Sequence, residues 1–96
     1  MVEGEFEWDA GKSESNLAKH GVSFEAARRV FDDAFACERC DFDSMPSEIR
    51  YVITGWVNDI ILTVVYTERD DRIRIISARK ATMHEQREYY RSQTAE

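Results

Sequence analysis

Proline occurs once and glycine four times in this chain of 96 residues. That leaves no room for a proline-rich or glycine-rich linker, and it argues for one domain around a single core. No apolar run approaches the roughly 20 residues that a membrane-spanning helix needs. The first residues, Met-Val-Glu-Gly-Glu-Phe, lack the basic and apolar regions of a secretory signal, so the expected location is the cytoplasm. Cysteine is scarce too. Cys37 and Cys40 stand alone as C-x-x-C, and a tetrahedral zinc site would have to recruit the distant His20 and His84. In a strand the i and i+3 side chains point to opposite faces. The expectation is therefore two free thiols in a reducing compartment, with no metal and no cofactor. No phosphate-binding glycine loop or serine triad is present. Ser13, Ser15 and Ser23 lie near helix starts, where capping is the simpler role.

Excess positive charge is also missing. The formal charge is −6 and the sequence pI near 4.9, so any nucleic-acid contact must come from a local cationic patch. The acids gather at Glu3, Glu5, Glu7 and Asp9, and again from Asp32 to Asp43, while cations concentrate at 69–80. What the chain does have is a globular balance, 43% apolar and 33% charged.

Periodicity places the elements. Phe6-Glu7-Trp8 reads as a short strand, and Asp9 caps a helix over Lys12 to His20 that stops at Gly21. Leu17 is the one large apolar residue of that helix and is expected to face inward. Lys19 and His20 should then lie on the exposed surface. Ser23 caps a second helix carrying Phe24, Ala27 and Phe31, and the two helices are expected to form a hairpin. Phe35 to Asp41 reads as an edge strand, and 42–48, with Pro46, as the longest irregular connection. Ile49–Val57 and Ile60–Thr67 are strong strands joined by Asn58-Asp59, residues that tolerate positive φ. A last strand over 72–79 and a helix from Thr82 to about Ser92 complete the chain. The order β-α-α-β-β-β-β-α predicts an α+β fold: an antiparallel sheet with an N-terminal helical hairpin and a C-terminal helix.

The last strand and its exit carry the chemistry. Strict alternation would put Ile73, Ile75, Ser77 and Arg79 on one face, and Arg72, Arg74, Ile76, Ala78 and Lys80 on the other, so both faces mix apolar bulk with cation. Thr82-Met83-His84-Glu85 is a capping box opening the helix. Arg74, Arg79, Lys80 and His84 thus meet at one strand-to-helix corner, with Tyr89 further along the helix. Arginines at a strand end often do no more than solvate it. His20 before a helix-ending glycine can be a simple dipole partner, and Tyr89 can be a packing residue. There is, however, a reaction that needs only these groups. RNA brings its own nucleophile, the 2′-hydroxyl, so a protein need only align it, move two protons and shield the phosphorane charge. Arginine suits the shielding role.

The residues Phe-Glu-Trp-Asp at 6–9, Lys12, Asn16 and Lys-His-Gly-Val at 19–22 are followed by Phe24, Phe31, Glu48, Arg50 and Gly55. Arg-Ile-Ile-Ser-Ala-Arg-Lys-Ala at 74–81 then leads to Glu85, Arg87 and Tyr89. Together these resemble the BrnT toxin family over nearly the whole chain. The resemblance implies a divergent RelE/ParE-like fold and a metal-independent endoribonuclease toxin of a type II toxin–antitoxin system. It implies an RNA substrate and a cognate ribbon-helix-helix antitoxin as neutralising partner, with DNA reached only through that antitoxin. Carried over, the site residues are Lys19, His20, Arg50, Arg74, Arg79, Lys80 and Tyr89. Two departures stand out: no arginine occupies Ile60–Leu62, and the chain is acidic. Both point to a ribosome-independent nuclease or a weakly active one. The competing readings are a non-enzymatic inhibitor that binds another protein, as the gyrase-poisoning branch of that fold does, and a regulatory binding module.

Overall fold

The computed structural model describes residues 2–41 and 48–94. The expected irregular connection with Pro46 lies largely outside them. Six strands form one sheet in the order β1-β2-β6-β5-β4-β3: β1 (Val2–Glu3), β2 (Phe6–Glu7), β3 (Cys37–Asp41), β4 (Arg50–Val57), β5 (Ile60–Arg69) and β6 (Arg72–Lys80). From β3 to β6 each strand is antiparallel to the next. The turns follow from residue type, because Asn58 and Asp59 take φ of 47° and 69°, and Asp70 and Asp71 take 51° and 63°. Positive φ at both central positions matches the right-handed twist of a tight hairpin, and Asn and Asp bear it best after glycine.

The sheet is mixed rather than purely antiparallel. β2 lies parallel to β6, Phe6 opposite Ile73 and Glu7 opposite Arg74. It occupies the edge of β6 that β5 leaves open, so that β6 has an antiparallel neighbour on one side and a parallel one on the other. The expected helical hairpin is also altered. Helix α1 (Ala10–His20) is held by Asp9, which accepts from the Lys12 amide at 2.9 Å, and ends at Gly21 with φ 69°. Helix α2 (Phe24–Arg28) is capped by Ser23 but lasts five residues before a 3-10 turn over Arg29–Asp32. Both segments pack on the sheet, mainly on β6, rather than chiefly on each other.

The inward residue of α1 is Asn16, not Leu17, which is 51% exposed. β2 covers β6 only at Ile73 and Arg74, so further along that edge the backbone of Ala78 would lack a partner. Asn16 supplies it. Its side chain accepts from the Ala78 amide at 3.2 Å and donates to the Ala78 and Val22 carbonyls at 2.7 and 2.8 Å. One amide side chain thus does the work of a missing strand residue.

Trp8, Val22, Phe24, Ala27, Val30, Ile53, Val64 and Ile75 are among the residues of the main core, between the helical layer and the sheet. Fully hiding side chains such as Phe24 or Ile75 contributes about 1.5–3 kcal/mol each. Gly55 lets the 3-10 turn approach β4, since a Cβ there would sit 2.9 Å from Val30 Cγ1 and 3.2 Å from its carbonyl oxygen. Phe6, Phe31, Tyr66 and Tyr51 run through this layer as ring contacts at 5.0 to 5.4 Å. Tyr66 donates its hydroxyl to Glu38, and burial followed by that carboxylate pushes it far above the usual phenol range.

The opposite sheet face carries α3 (Met83–Thr94), which crosses β3 and β4 over a small cluster of Ile61, Ala81 and Tyr89. Among the described residues, α3 meets the β5–β6 half of this face only at its edge, through Tyr89 on Ile61 and Glu85 on Thr63 and Arg79.

Candidate functional site

The open face owes its composition to one irregularity. Val65 pairs with Ser77, but the next residue, Tyr66, pairs with Ile75, so Ile76 is an extra residue on β6. Strict alternation fails there. Ile75 and Ala78 both reach the main core, while Arg74, Ser77 and Arg79 fall together on the open face. The mixed faces expected from strict alternation are undone by the bulge, which puts Arg74 and Arg79 on one face and Ile75 and Ala78 on the other, with Lys80 remaining on the Ala78 side.

At the end of β6 the capping box forms as its sequence predicts. Thr82 Oγ1 accepts from the Glu85 amide at 3.1 Å, and Glu85 Oε1 accepts from the Thr82 amide at 2.8 Å. The same carboxylate does more than cap. Arg79 Nη1 donates to Oε1 at 2.6 Å and Nη2 to Oε2 at 3.0 Å. Thr63 Oγ1 donates to Oε1 at 3.1 Å and lies 2.9 Å from Thr54 Oγ1. A polar chain therefore runs Thr54–Thr63–Glu85–Arg79 from β4 through β5 and α3 to β6. Burial alone would push the Glu85 carboxyl up. The Arg79 hydrogen bonds, the Thr82 amide, the Arg79 charge and Thr63 together outweigh it and hold Glu85 at about 2. In return the Glu85 hydrogen bonds, against some desolvation, raise Arg79 further above its ordinary value.

The pairing leaves a particular edge of Arg79 available. Its end-on fork faces Glu85, and Nη1 also donates to the Lys80 carbonyl at 3.3 Å. Among the described residues nothing accepts from Nε, and the arginine side chain is 41% exposed. A guanidinium has five N–H donors in a planar fork, so the Nε–Nη2 side can still bind a phosphate bidentately.

Arg74 and Arg50 share this face, each with an acid beside it: Arg74 with Glu7 at 3.4 Å and Arg50 with Glu48 at 3.0 Å. Lys19, His20 and Lys80 do not join them. Lys80 pairs with Leu62 and points, like Ala78, to the helical-layer side. Lys19 and His20 are exposed at the last turn of α1 in that layer, one turn beyond Asn16. Tyr89 is 4% exposed, packs on Ile61 and donates its hydroxyl to Asp33 Oδ2 at 2.5 Å. Burial, then that carboxylate, raises it well above the usual phenol range. Asp33 also accepts from the Trp56 and Phe35 amides at 2.8 and 2.9 Å. Burial pushes it up, and these three donors more than reverse that. The Asp33–Tyr89 bond fastens α3 to the sheet and leaves the Tyr89 hydroxyl committed.

Sequence reading gave Glu85 a capping role and missed its grip on Arg79. The signal was available in the pair itself, since Arg79 and Glu85 flank a strand-to-helix turn. Thr54 and Thr63 are ordinary strand residues in the sequence, and only the register reveals them as partners. Cys37 and Cys40 point to opposite faces, opposite Thr54 and Tyr51, and both are free. Among the described residues no three His, Cys, Asp or Glu side chains gather in a way that could hold a metal ion. Nor does any helix there have the length and apolarity to cross a membrane.

A family model described as the ribonuclease toxin BrnT of type II toxin–antitoxin systems matches residues 8–85, most of the chain. No curated protein matches it significantly.

Proposed function

Since the chain belongs to the BrnT family of ribonuclease toxins, we propose that it is an endoribonuclease that cleaves RNA through the substrate's own 2′-hydroxyl, with Arg79 shielding the phosphorane. The observation that carries this reading is the free Nε–Nη2 edge of an arginine fixed end-on by Glu85. A guanidinium so held loses little freedom on meeting a phosphate, and electrostatic shielding by preorganised donors is the largest usual contribution to such a step. Arg74 and Arg50 extend the cationic track along the same face for neighbouring phosphates. His84 is exposed at the start of α3 beside Glu85, and an imidazole is the side chain that most often moves protons in such steps. Lys19, His20 and Lys80 belong to a flanking surface across the end of β6, where a strand of RNA passing the corner meets them. Tyr89 supports α3 and does not enter the chemistry.

The reaction asks nothing of a metal. The nucleophile and leaving group are both supplied by RNA, and the charge is met by arginine. We read the fold as a divergent RelE-like one and the location as cytoplasmic. The family's type II class implies an antitoxin protein; we read that partner as a ribbon-helix-helix protein that covers the cationic face. The test is incubation of the purified chain with naked RNA in excess chelator. Products ending in 2′,3′-cyclic phosphate are expected, and intact RNA would overturn the reading.

A second reading, a non-enzymatic inhibitor of another protein, draws support from Phe35 and Trp56. They are 60% and 49% exposed and line one depression beside Asp33. It differs in requiring no cleavage at all.

A further inference from the structure

Beside the Arg79–Glu85 pair lies a cleft that charge shielding and proton transfer do not use. It opens between α3 and the β3–β4 edge of the sheet and encloses about 580 Å³, within the size range of small-molecule sites. Its floor is Val52 and Cys37, its walls are Arg39 on β3 and His84 on α3, and its rim carries Glu88 and Ser92.

The lining decides what kind of group fits. A phosphate is disfavoured, because Glu38, Glu85 and Glu88 all border the space and like charges at close range repel. A neutral planar ring is favoured. It would rest on the Val52–Cys37 floor with a guanidinium and an imidazole available to stack on its face. The phosphate of the same nucleotide would meet the free edge of Arg79, just outside the cleft across Glu85.

The carboxylate on the rim discriminates among bases. Glu88 accepts from Arg91 through Oε1 at 2.9 Å, and a carboxylate has about four acceptor positions, so capacity remains. Guanine presents two adjacent N–H donors on its Watson–Crick edge, N1 and the exocyclic amine, which one carboxylate can accept together. Uracil places carbonyl oxygens on both sides of its single N–H. Adenine and cytosine each place a ring acceptor beside the amine. Only guanine meets a carboxylate without an opposing lone pair.

Resting on the ribonuclease reading, we propose that this cleft seats a guanine base adjacent to the scissile phosphate, and that Glu88 reads its Watson–Crick edge. Cleavage is then directed to one side of guanine.

The experiment is equilibrium binding of the four nucleoside 3′-monophosphates and the four 5′-monophosphates to the purified chain, alongside mapping of cut sites on RNA of mixed sequence. A guanosine monophosphate should bind about tenfold or more tightly than the other three of its series, in keeping with about 1–3 kcal/mol for one bidentate base contact. The series that shows the preference tells on which side of the phosphate the base lies. Glu88→Gln keeps the shape but turns one acceptor into a donor. It should abolish the preference while leaving melting unchanged. Equal binding of all four bases, or a guanine preference that survives in Glu88→Gln, overturns the proposal. If RNA is cut with no base preference and the nucleotides bind equally, the cleft fails and the ribonuclease stands. If guanosine monophosphate binds selectively but RNA stays intact, the cleft stands and the ribonuclease fails.

Discussion

Glu85 holds Arg79 by both terminal nitrogens, at 2.6 and 3.0 Å, from the first turn of α3 across to the end of β6. The same carboxylate caps the helix and accepts from Thr63. The helix cap and the arginine proposed to meet phosphate are therefore joined in one unit through Glu85. An exposed ion pair alone is worth about 0.2–1 kcal/mol, and a cap about 1 kcal/mol. The combination is more valuable as a positioning device than as a source of stability.

The pair sets an acid limit. The folded-state pKa of Glu85 lies at about 2, below its ordinary value of 4.5. A depressed carboxylate contributes stability that is complete above the unfolded value and is lost as pH falls through the folded one. Stability should thus drop as pH falls from about 4.5 toward about 2. Asp33 and Asp9 are lowered too and act in the acid range as well. The contribution of Glu85 is the difference between the parent and Glu85→Gln in urea unfolding across that range. The variant should show a shallower slope, and identical slopes would remove Glu85 from the account.

Asn16 should be among the most sensitive positions outside the corner. Replacing it with leucine keeps the volume but leaves the Ala78 amide and carbonyl and the Val22 carbonyl without their partner. Three unsatisfied buried backbone groups at about 1–3 kcal/mol each predict a loss of about 3 kcal/mol or more in chemical denaturation. Asn16→Asp should be no better, since it cannot donate to two carbonyls. A loss below about 0.5 kcal/mol, the range of ordinary surface changes, would contradict the bridging role.

Lys19 and His20 lie across the strand end from Arg79, so they should affect binding rather than the bond-breaking step. In Lys19→Ala with His20→Gln, RNA affinity should fall and its dependence on salt should flatten by roughly 0.7 per lost phosphate contact. Cleavage under saturating protein should be nearly unchanged. A drop in the saturated rate with melting preserved would place His20 in the chemistry.

Much of this structure was legible in the sequence, and the misses have physical causes. Caps and turns are local, so Asp9, Ser23, Gly21, Asn58-Asp59 and the Thr82–Glu85 box all read correctly. The parallel partner of β6 was hidden because Phe6-Glu7 is too short to declare a direction. The faces of β6 were misassigned because a single bulged residue, Ile76, has no signature in a run of arginine and isoleucine. Leu17 was expected inward because hydrophobicity is the usual guide to the buried side of a helix. Here the buried position goes to an amide that completes a sheet edge. Of the expected site, Arg50, Arg74 and Arg79 share a face, whereas Lys19, His20 and Lys80 lie on the other side. That division depends on register, which composition does not carry.

The most direct test of the account is the single-turnover cleavage rate of naked RNA, in chelator, by the parent chain and by Arg79→Ala, with folding of both checked by thermal melting. Loss of a preorganised donor to a developing oxyanion typically lowers the rate about 10²–10³-fold, and a fall of that order is expected. Arg79→Lys should recover little, because an ammonium cannot keep a fork on Glu85 and offer a second edge to phosphate. A folded Arg79→Ala variant that cleaves as fast as the parent would contradict the central claim.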